Sequence, residues 1–75
     1  MKKTTIINQL EDISSSIDYL SLNETESLLY SLSFSQSFIE LCSEYSSLDD
    51  LLIECFSSTK DIIKCNIQHM IEILG

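Results

Sequence analysis

Three cysteines, Cys42, Cys55 and Cys65, and a single histidine, His69, are the residues of this chain best suited to chemistry. Three sulfur donors and one imidazole make a plausible tetrahedral zinc set, and Cys65 and His69 stand about one turn apart on a helix. Such a site needs all its donors convergent and deprotonated. The short paired knuckle that brings two cysteines together is missing from the sequence, and on a helical wheel Cys55 falls on the apolar side while Cys65 falls on the polar side. No metal and no cofactor is expected, and Cys42 and Cys55 read as small buried hydrophobes.

Cys65 is the candidate nucleophile, on a polar face beside Lys64 and within a turn of His69. A reactive thiol wants a stabilised thiolate, a base and oxyanion donors at a loop or helix N-terminus. Asp61 and Glu72 share its face and work against a thiolate, so incidental exposure or an oligomer contact is the reading for Cys65. The carboxylates form no acid/base pair: Asp49 and Asp50 are adjacent and diverge on a helix, and no apolar pocket able to raise one of them can be named. The chain is read as not an enzyme.

What the acids form instead is rows. Glu40 and Glu44 share one helical face, and Asp50, Glu54, Asp61 and Glu72 share another, which makes them either solvated surface or a docking face for Lys and Arg. Twelve Asp and Glu against four Lys give a formal charge of −8. Without a basic patch, direct nucleic-acid binding is disfavoured, and so is an anionic membrane surface. A protein partner with a basic or apolar groove is what this field would steer toward.

The elements that must position these residues are helices. From Leu48 to Leu74, Leu48, Leu52, Cys55, Phe56, Thr59, Ile62, Ile63, Asn66, Ile67, Met70 and Leu74 hold one side of a wheel at roughly 100° per residue. Asp50, Glu54, Ser57, Asp61, Lys64, Cys65, Gln68 and Glu72 hold the other. Ser47 with Asp50 resembles a capping box at the start, and Gly75 supplies an end. Ser57-Ser58-Thr59 is the weak point, where a break with Ser58 re-capping through Asp61 competes, but the preserved phase favours one long helix or a mild bend. Asn66 lies in the apolar arc, where an amide needs a partner; a register-setting contact across a helix interface, in a dimer or otherwise, competes with an edge position reaching a helix end, and the first is favoured.

Upstream, Ile6, Ile7, Leu10, Ile13, Ile17 and Leu20 recur at helical spacing and predict a helix over 4–20, with Tyr19 nearly opposite the apolar stripe. Two overlapping capping boxes, Ser21 with Glu24 and Asn23 with Glu26, start the next helix. Residues 30–38 alternate apolar with serine in a strand-like way, yet a lone strand has nothing to pair with. The apolar phase slips at about Ser33, which predicts two short helices, 23–32 and 34–45, or a sharp kink. Ser46-Ser47 then makes a tight turn between antiparallel neighbours.

The expected fold is all-α, one domain over 1–75: a compact bundle of three to four helices (4–20, 23–32, 34–45, 48–74). At 75 residues the core is near the lower limit of self-sufficiency, so a homodimer or an obligate complex is an expectation, with Asn66 and Cys65 as its interface candidates. Met1-Lys2-Lys3 resembles the basic start of a signal peptide, but Asn8, Gln9, Glu11 and Asp12 interrupt any apolar run, and an odd number of cysteines fits a reducing compartment. A cytoplasmic protein is expected.

The function these features favour is a non-enzymatic adaptor, inhibitor or chaperone-like regulator that binds protein through Asp50, Glu54, Asp61, Glu72, Glu40, Glu44 and Tyr19. The alternative is an acidic nucleic-acid mimic, as in phage or plasmid anti-defence proteins, blocking a basic groove. A mimic loses its target steeply as salt rises; a groove binder driven by Phe34, Phe38 or Leu51 does not.

Overall fold

Residues 2–75, the part of the chain that the computed structural model describes, form five helices and no strand; Met1, the first residue of the basic start, lies outside them. They are α1 (Lys2–Ser16), α2 (Leu22–Ser33), α3 (Gln36–Glu44), α4 (Ser47–Cys55) and α5 (Lys60–Leu74).

α1 buries Ile6, Leu10 and Ile13 on one face, as the spacing predicts, but it stops at Ser16 and does not reach Leu20. Ser14-Ser15-Ser16 weakens the helix there, because serine side chains compete for the backbone in non-helical conformations. Ile17 is still fully buried, carried inward by a turn closed by the Tyr19 N–H on the Ser16 carbonyl at 2.9 Å. α2 opens on the first of the two overlapping capping boxes. The Glu24 N–H donates to Ser21 Oγ at 3.1 Å, and the Ser21 N–H donates to Glu24 Oε1 at 2.9 Å. The second box is not used, which leaves the Glu26 carboxylate free to reach elsewhere.

α2 ends at Ser33, where the apolar phase slips. The Ser33 hydroxyl donates to the Tyr30 carbonyl at 2.6 Å, Phe34 closes the helix, and Ser35 caps α3 by accepting the Phe38 N–H at 3.5 Å. Local side-chain bonds of this kind offer the backbone an alternative to another helical turn. Residues 30–38 are therefore helix, turn and helix, and the serine alternation has no β character.

The single helix expected over 48–74 is two. α4 ends at Cys55, Ser57 takes a left-handed φ of 67°, the Ser58 hydroxyl donates to the Glu54 carbonyl, and Thr59, not Ser58, caps α5 by accepting the Ile62 N–H at 3.3 Å. Periodicity missed the reversal because Leu52 to Ile63 spans close to three turns at ~100° per residue. Two helices folded back on one core can repeat the phase of one straight helix. The expected Ser47–Asp50 box is absent as well. Ser46 occupies the cap position without a side-chain bond, and Asp49 and Asp50 favour the first turn through the macrodipole alone.

α4 and α5 share the most extensive contact in the molecule. α1 lies against α5 and α3, α3 also meets α4, and α2 meets α1, α3 and α4 over fewer residues. One hydrophobic cluster draws on all five helices, with Phe38, Leu41, Leu48, Ile63, Ile67 and Met70 among its members. Each such side chain contributes about 1.5–3 kcal/mol by leaving water. Asn66, 8% exposed, sits within this packing and donates through Nδ2 to the Leu51 carbonyl at 3.1 Å. The register contact expected across a helix interface is thus made between α4 and α5 of the same chain.

Candidate functional site

The cysteines and the histidine are divided among α3, α4 and α5. Cys55 is buried on α4, its thiol donating to the Leu51 carbonyl at 3.3 Å, and burial pushes its pKa up to about 11 despite the nearby Asn66 amide. Cys42, half-buried on α3, is also raised, first by burial and then by the charge of Asp49. Cys65 and His69 are exposed on α5. Among the described residues, no three His, Cys, Asp or Glu side chains converge to hold a metal ion.

The acidic rows fare differently from one another. Asp50 and Glu54 are exposed on α4, and Asp61 and Glu72 are exposed on α5. The reversal at Ser57 divides that row between two helices packed back on each other, so the four do not run along one axis. Glu40 is engaged by Lys2 and by Gln36 Nε2 at 3.2 Å, and Lys2 holds its carboxyl below the usual carboxylate value. Lys2 is raised in turn, first by Glu40 and more weakly by Glu44, while Lys3 is raised by the Tyr45 hydroxyl and lies with its Nζ 5.1 Å from the centre of that ring. Here, where the start of α1 meets α3, two lysines balance two glutamates. Lys64 pairs with Asp18 at 2.7 Å, and beside Asp18, in the turn after α1, Tyr19 stands 88% exposed.

A second region carries aromatic surface. Glu26, Tyr30 and Phe34 follow one another at helical spacing along the outer side of α2, away from buried Thr25, Leu29 and Leu32. The Tyr30 ring stacks on Phe34 with centroids 5.8 Å apart and planes 19° apart, and it meets Phe56 at 5.2 Å, tilted by 57°. Tyr30 is 58% and Phe34 74% exposed, with Phe56 half-buried. Glu26 Oε2 fastens the strip to the α4–α5 turn by accepting the Ser57 N–H at 3.0 Å.

The charges near this strip are not balanced as they are beside Lys2 and Lys3. Glu24, Glu26, Glu54 and Asp61 lie on or next to the segments that build it, against Lys60, whose charge reaches Glu24. The Glu24 carboxyl is held low chiefly by the Ser21 N–H and hydroxyl, with Lys60 a smaller influence.

The sequence places Phe34 with Phe38 on one face, but they part company. Phe38 is 1% exposed in the core, whereas Phe34 closes α2 and points outward. Leu51, the other expected groove contact, is half-buried against the core. The spacing of Glu26, Tyr30 and Phe34 off the Leu29 and Leu32 face was a usable signal for an outer stripe; the arrival of Phe56 beside it was not.

Two grooves complete the surface. One, of about 370 Å³ between α1 and α2, has Ile13, Leu28 and Leu32 as apolar lining and Gln9, Asp12, Ser16 and Ser31 as polar lining. The other, between α1 and α5, is lined by Glu11, Ser14, Ser15, Gln68 and Ile71. Neither lining includes a cysteine or histidine. No helix among the described residues is long and apolar enough to cross a membrane. Comparison with known proteins finds no family model, no curated protein and no solved structure that matches this chain.

Proposed function

We propose that this chain is a non-enzymatic protein-binding module, a small acidic adaptor, inhibitor or chaperone-like regulator. It would act in the cytoplasm, where its three free thiols stay reduced. The observation that carries the reading is the ring strip in which Tyr30 and Phe34 stand exposed and stacked, with Phe56, itself packed partly against the core, beside them. Contiguous exposed apolar surface on a small protein marks an interaction site, and aromatic anchors supply much of the energy at protein interfaces.

A second reading, the acidic nucleic-acid mimic, draws on the unbalanced carboxylates Glu24, Glu26, Glu54 and Asp61; it needs the charges and has no use for the rings. Affinity capture with tagged wild type, Phe34→Ser and a Glu54→Gln/Asp61→Asn double variant, each at low and at about 0.5 M salt, separates the two. A protein-binding module keeps a defined partner at high salt and loses it with Phe34→Ser. A mimic keeps its partner in Phe34→Ser and loses it with salt or with the carboxylate variant. Metabolite turnover by the purified chain, with no partner that responds to either variant, would sink both.

A further inference from the structure

We propose that the strip of Tyr30, Phe34 and Phe56 seats a basic amphipathic helix of a partner protein. This rests on the protein-binding reading and names the chemistry of the partner.

Shape points to a helix. The described residues contain no strand, so they offer no sheet edge for strand addition. What they offer is the outer side of α2, twelve residues long, with the α4–α5 turn beside it. A ridge of this kind accepts another helix laid along it, anchored at positions three or four apart. Tyr30 and Phe34 supply two consecutive anchor contacts, and Phe56 widens the seat sideways.

Charge selects the occupant. Of the four lysines, Lys2 pairs with Glu40, Lys3 covers Tyr45 and Lys64 pairs with Asp18. The fourth, Lys60, opens α5 and its charge reaches Glu24, while Glu26 lies on α2 itself and Glu54 and Asp61 flank the α4–α5 turn that carries Phe56. Lysines or arginines at the margins of an incoming apolar helix would meet these carboxylates, and their stems would lie on ring faces. The fold already makes one contact of that type, between Lys3 and the Tyr45 ring. A second copy of this chain fits worse. Each copy carries −8, so like charge opposes the approach of one copy to another. An anionic lipid surface meets the same objection.

The test uses the full isotopically labelled chain and a synthetic leucine–lysine amphipathic helix of about 18 residues, five turns. Two sister peptides keep the leucines and replace every lysine, one with glutamine and one with glutamate. Dissociation constants and backbone amide shifts are read at low and raised salt. The expected result is that the lysine peptide binds about tenfold tighter than the glutamine peptide at low salt, and that the glutamate peptide does not bind. Amide shifts should centre on 26–34 and 54–61. Phe34→Ser with Tyr30→Ser should weaken binding about tenfold or more, and Glu11→Gln, exposed on α1, should leave it unchanged.

Shifts spread over acidic surface elsewhere, or equal affinity in the ring variant, would overturn the proposal in favour of plain charge attraction. Equal binding of the glutamine peptide would overturn the basic character of the partner, and a dimer abolished by Phe34→Ser would make a second copy the occupant. In both of those cases the protein-binding reading survives. If no peptide moves the strip and Phe34→Ser retains every captured partner, both fall. The shift map on the unaltered chain decides the matter even where circular dichroism shows a variant to be unfolded.

Discussion

α5 and α2 are both amphipathic helices with side-chain N-caps, yet they are held in different ways. α5 buries Ile63, Asn66, Ile67, Met70 and Leu74, and is tied to α4 by the Asn66 amide on the Leu51 carbonyl. α2 buries Thr25, Leu29 and Leu32, leaves Leu22, Leu28 and Tyr30 exposed, and relies on the Ser21–Glu24 box at its start and on Glu26 reaching Ser57. Packing holds the first; caps and one remote hydrogen bond do much of the work for the second. A helix stabilised partly by its ends has side chains to spare, and on α2 these include the stacked pair of Tyr30 with Phe34 at its close.

The sharpest way to break this contrast is to compare Ile67→Ala with Phe34→Ser by urea denaturation. Ile67 is fully buried, and its truncation is expected to cost about 2–5 kcal/mol, a large part of what so short a chain possesses. Phe34→Ser should stay within about 0.5 kcal/mol, as exposed substitutions do. Equal losses would mean that the ring strip is part of the core after all.

The next effect belongs to alkaline pH. The folded Cys55 thiol titrates near 11, above its ordinary 9.0, so the unfolded chain releases its proton first. The stability this represents is fully present below pH 9.0 and is lost as pH rises toward about 11. From a shift of this size the loss is on the order of 2 kcal/mol. Cys55→Val should lose less stability than wild type between pH 9.0 and about 11. Identical slopes would show that Cys55 is not shielded. At neutral pH, exposed Cys65 should react first with a thiol reagent, Cys42 more slowly, and Cys55 only with unfolding.

Smaller effects fall on α2. Ser21→Ala removes the acceptor for the Glu24 N–H and is expected to cost about 1 kcal/mol, with faster amide exchange along α2 and little change in α5. Because the folded Glu24 carboxyl is held below its ordinary 4.5, its contribution is present above pH 4.5 and is lost as pH falls through the lowered folded value. Ser21→Ala should flatten that acid limb. Glu26→Gln is the mildest, at about 1 kcal/mol or less, and its signature is local: the Ser57 amide should exchange faster while Ile67 stays protected.

Much of the fold was legible because it is locally encoded. The helical class follows from spacing; the break at Ser33 follows from the slip of the apolar phase, and the start of α2 from Ser21 and Glu24. The helical spacing of Ile6, Leu10 and Ile13 matches the buried side of α1, where they lie. The aromatic strip was only half legible, since Tyr30 and Phe34 share a stripe on α2 while Phe56 comes from a distant turn.

What the sequence determined by itself is which side of each segment is wet and where the strongest caps fall, because those depend on residues within a turn or two. Tertiary structure decided the rest. Periodicity reports which face is buried but not which way the chain is heading, so the reversal at Ser57 is invisible to it when the loop spans nearly whole turns. That reversal divides the acidic row between α4 and α5, brings Asn66 to Leu51, and carries Phe56 to Tyr30 and Ser57 to Glu26, the last pair 31 residues apart in the chain.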